Sequence, residues 1–493
     1  MDVLFISPDS SREVYQGLAD KYAAIEPQPW ALLLAGALRK DGYSVGILDP
    51  LAEGLDDHQA YIRIANAHPR YICFVVYGQN PNSGTTNMAG AERLLNHVRL
   101  IDAATPVIFI GSHPSALPNE VAAMPGVDYV CPGDGLNGLK RILTGDICGH
   151  VIETTLDPHS EVTISMERVI WGEPCKTSEL DYAWDLVDLS RYRCHTWHNN
   201  FGPDRSPFAS IYTSLGCNFK CDFCMINMVN KSRPDQLDAS QATGMRYFAP
   251  EYVLDQLEYL QKAGVKNVRI ADEMFFLNRQ HYLPIVRGIV ERGIKLNLWA
   301  YARVDTVRRE FLPEFKSAGI SWLCLGIESA NRTIRREITK GSFEDVDVRQ
   351  VAREIKAAGI NLLANFIFGL PDESEVEMQE TLDLALEIGA EHTNFYPCMA
   401  LPGSPLYRGV VSANQTLPDA YSGYSFHSYD CQPMATNYCT ASQVLAFRDR
   451  AWLQVSRNPR YLEMIADKFG QDRADSILAQ TKIPLKRRLL ESS

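Results

Sequence analysis

Residues 210–224 read Ser-Ile-Tyr-Thr-Ser-Leu-Gly-Cys-Asn-Phe-Lys-Cys-Asp-Phe-Cys, a short apolar strand running into Cys217, Cys221 and Cys224 at CxxxCxxC spacing. Iron–sulfur clusters are held by cysteine thiolates, and three of them in one short loop can hold three irons of a cube. No fourth cysteine follows at close spacing, which leaves one iron open for a ligand. The competing reading is a zinc site completed by a distant Cys or His such as Cys324. Zinc sites use paired CxxC elements at matched spacing, and the chain has no second pair.

The strand before the cysteines starts a repeating pattern. Further strands are expected at Asn267–Ala271, Lys295–Ala302, Trp322–Ile327, Asn361–Phe368 and Thr393–Cys398, with helices between them. Four of these helices stop at Ala263-Gly264, Arg292-Gly293, Ala318-Gly319 and Ala358-Gly359, the helix-to-strand loop chemistry of a parallel barrel. Six such units predict a partial (β/α)6 barrel rather than the full eight. Upstream, Val3–Ser7, Ser44–Leu48, Tyr71–Tyr77, Pro106–Ile110 and Val127–Val130 read as five strands of a doubly wound, Rossmann-like α/β domain. Ligands of such domains sit at the carboxyl ends of the strands. The fold class is therefore α/β. Residues 1–145 are the Rossmann-like domain, 146–206 a linker, 207–408 the partial barrel, and 409–493 a small, mainly α domain expected to cover the open side of the barrel.

Composition narrows the function classes. The chain has 493 residues, 48 Lys plus Arg, 60 Asp plus Glu and a formal net charge of −12. That balance argues against general binding to nucleic-acid backbones. No apolar run is long enough to span a bilayer, and the N-terminus starts a strand without a basic region ahead of an apolar one. A cytoplasmic location is expected. Nine of the twelve cysteines are scattered, as ordinary buried thiols are.

The cysteine loop, with aromatic Phe223 before its last cysteine, resembles that of the radical S-adenosylmethionine (SAM) superfamily. The resemblance implies a 4Fe-4S cluster whose open iron chelates the amino and carboxyl groups of SAM, and a 5′-deoxyadenosyl radical made from it. It also implies an electron donor such as flavodoxin or ferredoxin. Asp272 and Glu273 look like the acidic element that holds the SAM amine, and Arg303 like a partner of its carboxylate. Glu328 resembles the family's "GxES" element near the ribose. Phe368 and Gly369 resemble its backbone segment near adenine.

Residues 110–118, with Gly111, Ser112 and His113, and residues 127–135, with Gly133 and Gly135, resemble loops of the cobalamin (B12)-binding domains fused to such barrels. The loop after the first strand, Ser7-Pro8-Asp9-Ser10-Ser11-Arg12, lacks the His that ligates cobalt in many cobalamin proteins. The resemblance then places Tyr77, Gln79 or Asn80 against the lower cobalt face. A domain that has lost cobalamin and serves as a scaffold is the alternative. Together these segments resemble a cobalamin-dependent radical SAM methyltransferase that methylates an unactivated carbon of a small-molecule or natural-product precursor. A non-methylating rearrangement, cyclisation or oxidation with the same cofactors is the second reading. A methylthiotransferase acting on RNA would carry three further cysteines in its first domain, where this chain has only Cys73 and Cys131 up to residue 147.

Overall fold

The computed structural model describes residues 1–78, 81–146, 149–150, 182–231, 236–341 and 346–491. Gln79 and Asn80, and most of the expected linker, lie outside the described residues. The first five strands are β1 (Val3–Ile6), β2 (Val45–Leu48), β3 (Tyr71–Val76), β4 (Val107–Gly111) and β5 (Tyr129–Cys131). They form one parallel sheet in the order β2-β1-β3-β4-β5. β1 and β4 are buried along their whole length, and β3 from Ile72 on. Apolar runs without alternation are what a parallel sheet covered on both faces requires.

The second sheet holds β6 (Phe208–Ile211), β9 (Asn267–Ile270), β10 (Asn297–Arg303), β11 (Ile320–Glu328), β12 (Asn361–Phe368) and β13 (His392–Pro397). All its pairings are parallel, in the order β13-β12-β11-β10-β9-β6. The six expected barrel strands are thus present. The periodicity gave no sign of a hairpin of β7 (Ser214–Cys217) with β8 (Gly244–Tyr247), which is antiparallel.

One helix serves both sheets. Pro29–Lys40 starts on a proline, whose fixed φ suits a first helical position, and buries every residue from Pro29 to Leu38. A helix apolar all round must be covered all round. Trp30 meets Tyr77 of the first unit and Tyr212 of the barrel, with ring centroids 4.7 and 6.0 Å apart. Behind the helix, Ala183 N donates to Leu32 O at 3.3 Å. The described end of the expected linker is therefore core, with Tyr182 and Trp184 fully buried.

The C-terminal segment is mainly helical. The helix Ala441–Ser456 opens on a capping box of Thr440 and Gln443 and lies against β13 at the open edge of the barrel. Arg448 on it donates from Nε to Phe395 O at 2.8 Å. The helices Pro459–Phe469 and Gln471–Gln480 contribute Ile465, Ala474 and Ile477 to an apolar cluster with Trp197, Trp299, Trp322 and Leu363. Trp299, Trp322 and Leu363 are each the third residue of their strand, so this cluster plugs the amino end of the barrel. Trp322 is fully buried and donates from Nε1 to Asn200 Oδ1 at 3.2 Å. Trp322→Ala should therefore cost about 3–5 kcal/mol, read as a lower denaturant midpoint for the barrel transition with the fluorescence of the remaining tryptophans as probe.

Candidate active site

The cysteine loop leaves the barrel through β7 and is fastened at its root by a buried carboxylate. Asp272 Oδ1 accepts from Thr213 N at 2.6 Å, and Oδ2 accepts from Thr213 Oγ1 and Ser214 Oγ, each at 2.6 Å. Burial outweighs these donors and lifts the carboxyl to about 6. Gly216 follows at φ +86°, and a Cβ there would lie 2.3 Å from Gly244 O, so only glycine lets the hairpin close. Asn227 Oδ1 then accepts from Cys217 N at 2.8 Å, and Cys224 N donates to Cys221 O at 3.2 Å. The middle of the loop is held from the barrel: Asp222 N donates to Ile338 O at 3.0 Å, and its side chain pairs with Lys340.

Two contacts reach the loop from the first unit. Asn82 Oδ1 accepts from Met225 N at 3.1 Å, and its amide lies 3.9 Å from Cys224 Sγ. Asp134, between Gly133 and Gly135, forks onto Arg246 of β8, one arm at 2.8 Å, and Trp30 Nε1 donates to Asp134 O at 3.1 Å. Gly133 and Gly135 have φ +72° and +80°, and the turn they form docks the cysteine hairpin.

A cavity of about 590 Å³ opens between the two sheets. Cys217, Cys221, Cys224, Phe223, Glu273, Arg303 and Glu328 all line it. It runs down the barrel to Trp299 and Trp197, and across to Ser7, Pro8 and Ser10 after β1 and Gly78 and Asn82 after β3. Arg303 spends its Nε and Nη2 on Asp305 at 3.0 Å each, and its guanidinium lies 3.4 Å from the Phe219 ring centroid. Burial lifts the Cys217 thiol to about 11 and Cys221 to about 12, with Arg303 pulling both down. Burial also raises Glu328 to about 7 and Glu273 to about 8.

Other expected site residues stand back from the cavity. Asp272 faces the hairpin, since neighbours at a strand end point to opposite sides, and Glu273 takes the cavity side. Phe368 stacks on Phe395, with centroids 5.0 Å apart, behind the barrel wall, while Ile367 lines the cavity. Gly369 N and Leu370 N donate to the buried Glu373 at 2.9 and 3.1 Å. Tyr77 OH donates to Gly133 O at 3.3 Å. Ser115 Oγ accepts from Gly133 N at 2.8 Å and donates to Gly111 O at 2.5 Å. Ser112 and His113 are buried beside Gly84, and burial keeps the His113 imidazole neutral down to about 3. Asn82, Asp134, Arg246 and Glu373 were not singled out from sequence, where each is remote from its partner or hidden in a polar loop.

Among the described residues no three His, Cys, Asp or Glu side chains gather around one point as ligands of a single ion would. A cube places each thiolate on a different iron, and Cys217, Cys221 and Cys224 all line the one cavity. The profile of the radical SAM superfamily matches residues 211–385, and that of the B12-binding domain residues 15–143.

The chain belongs to the radical SAM superfamily.

It is a radical SAM enzyme whose barrel follows a B12-binding domain. The two domains together imply SAM with a 4Fe-4S cluster, and cobalamin. Among relatives, it is 23% identical over 443 residues to an uncharacterized methyltransferase of Pyrococcus horikoshii, covering 88% of this chain and 89% of that one. It is 23% identical over 445 residues to the anaerobic magnesium-protoporphyrin IX monomethyl ester cyclase of Rubrivivax gelatinosus, covering 87% and 72%. Among solved structures, it matches the radical SAM methyltransferase TsrM from Kitasatospora setae, bound to tryptophan substrate and aza-SAM. The TM-score is 0.62 at 18% identity, over 97% of this chain and 99% of that one. No described helix is long and apolar enough to cross a membrane.

The chain's own residues fit these groups. Three thiols share one cavity wall, two carboxyls stand beside them, and across the cavity Ser7 Oγ is buried with no partner among the described residues. Glu273 and Asp272 should separate by experiment. Glu273 holds its proton more tightly folded than unfolded, so it favours the folded state below about pH 4.5 and that gain is lost as pH rises through about 8. Glu273→Gln should therefore match the wild-type apo-protein in thermal midpoint near pH 4.5 and exceed it at pH 9. Asp272→Asn should cost about 1–3 kcal/mol near pH 4 by leaving buried donors unpaired, a cost that shrinks as pH rises through about 6, where the wild-type carboxyl must ionise in a buried site.

Proposed function

We propose that the protein is a cobalamin-dependent radical SAM methyltransferase that methylates an unactivated carbon of a small molecule held inside the barrel. The observation that carries this reading is the continuity of the cavity. The same space touches the three cysteines and the loops after β1 and β3 of the B12-binding domain. Bound together, the cofactors supply a hydrogen-abstracting 5′-deoxyadenosyl radical and a transferable methyl group.

The protein's part is placement and exclusion of water. Glu273 is the group we assign to the SAM ammonium: burial leaves its carboxyl protonated at neutral pH, so taking up a cation there releases a proton. Glu328 is assigned to the ribose, on a backbone held at φ +66°. Arg303, forked to Asp305 and covering Phe219, supplies positive charge beside the SAM carboxylate and the thiolates. The tryptophan plug seals the amino end of the barrel from bulk water. Gly78, after β3, lines the cavity on the side where the B12-binding domain would hold cobalamin. The boundaries given above for the domains, a cytoplasmic location and a flavodoxin- or ferredoxin-like electron donor belong to the same proposal.

The second reading, a non-methylating rearrangement, cyclisation or oxidation, is favoured by the likeness to a protein named as a cyclase. Product analysis separates the two. After anaerobic reconstitution with iron, sulfide and cobalamin, a methyltransferase forms both S-adenosylhomocysteine and 5′-deoxyadenosine during turnover. The second reading predicts no S-adenosylhomocysteine. Cys221→Ala should lower bound iron from about four per chain to a small remainder and abolish 5′-deoxyadenosine formation. Retained iron and turnover in that variant would overturn both readings.

A further inference from the structure

Below the cofactor mouth, the barrel floor carries a charged group that none of the assignments above uses. Arg269 sits on β9 in register with Trp299 of β10 and is 1% exposed. Its Nη1 donates to Glu26 Oε2 at 2.8 Å, and Glu26 comes from the B12-binding unit. The guanidinium carbon lies 4.9 Å from the Trp299 ring centroid and 5.5 Å from that of Tyr301. All four side chains line the cavity.

The unused atoms carry the argument. Arg269 Nε and Nη2 are buried with no hydrogen-bond partner among the described residues, and so is Trp299 Nε1. Nε and Nη2 are the two donors on one side of a guanidinium, the fork that matches a carboxylate with two parallel hydrogen bonds. Glu26 takes Nη1 and leaves this edge unpaired among the described residues, on a side chain of the cavity lining. Burying donors unpaired is costly, and an ion pair by itself does not favour the fold over an apolar filling. A charged fork kept dry, aromatic-walled and unpaired along one edge is explained by a ligand that completes it.

We propose that Arg269 is the substrate anchor, binding a carboxylate on the part of the substrate remote from the reacting carbon, with Trp299 and Tyr301 as apolar walls. This rests on the reading of the barrel as the reaction chamber. The SAM carboxylate is a poor alternative occupant. Arg269 pairs with Trp299, four residues below Arg303 on β10, and at roughly 3.3 Å per residue its backbone stands about 13 Å below that of Arg303. The same length sets the substrate: an acid whose reacting carbon stands several bonds from its carboxylate.

The test uses the full reconstituted protein and two probes, 3-phenylpropanoate and its neutral isostere 3-phenylpropanamide, titrated by calorimetry. The acid should bind about tenfold or more tightly than the amide, as for a hydrogen bond to a charged group. Arg269→Lys, which keeps the charge and loses the fork, should remove that preference. Should Arg269→Lys fail to fold, Glu26→Gln/Arg269→Gln, which leaves no unpaired charge, takes its place. Equal binding of acid and amide by the wild type overturns the proposal, as does a preference that survives either variant. Wild-type iron content and SAM cleavage are measured on the same preparation. Their loss would sink the functional reading, whereas their presence without fork-dependent binding would sink only the anchor.

Discussion

The structure depends on holding a short loop of three cysteines still without regular secondary structure to do it. Ordering a loop residue costs about 1–2 kcal/mol of backbone entropy, and the loop makes few internal bonds to offset this. The holding groups come from outside it. Asp272 gathers the root of the hairpin, Asn227 takes the Cys217 amide, and the barrel takes Asp222. The far side is held from the other sheet, by Asn82 at Met225 and by Asp134 at Arg246. The two sheets are therefore one device: separating them would release the wall that carries the thiols.

The second constraint is charge in a nearly dry space. Each cation around the cavity is handled differently. Arg303 is forked to Asp305 beside the cysteine loop. Arg448 and Arg487 share Asp449; Arg448 also donates to Phe395 O of β13, and Arg487 to Ser428 O and Phe426 O in the C-terminal segment. Arg269 alone of these four keeps a whole donor edge unpaired among the described residues, on a side chain of the cavity lining. Purely structural buried cations are expected to be satisfied, as those of Arg448 and Arg487 largely are. That contrast, within one molecule, distinguishes an arginine that holds the fold from one that awaits a partner.

What the sequence made legible follows from range. The six barrel strands, the five strands of the first sheet and the three-cysteine loop are written in local period and spacing, and each is present where the pattern put it. Glu273 and Glu328 were also readable, because a polar residue just past a parallel strand faces the mouth. Asp272 shows the limit of that rule. It sits one residue from Glu273, and the pleat turns it to the hairpin instead of the cavity. The β7–β8 pairing, the Asp134–Arg246 fork and the Glu26–Arg269 pair join residues tens to hundreds of positions apart, and nothing in the local pattern of either partner announces the other. The segment 182–206 lacks periodicity and is expected only as a linker packed on both neighbours, and which side chains do the packing is not written in it: Trp184 lies between the sheets and Trp197 in the barrel plug.

A B12-binding domain retained only as scaffold would be expected to close against the barrel. Its interior is indeed close-packed: a Cβ on Gly111 would lie 2.2 Å from Val76 O, and one on Gly90 2.1 Å from Asp9 O. The domain also commits a whole helix, Pro29–Lys40, to the shared core. Yet at the carboxyl ends of β1 and β3 it stays open toward the cysteines, with Ser7 Oγ buried and unpartnered among the described residues. Packing that tight could have filled this space with larger side chains, and apolar filling is favoured wherever no ligand intervenes. An opening kept at the strand ends, where parallel sheets bind their ligands, is the mark of a domain that still holds its cofactor.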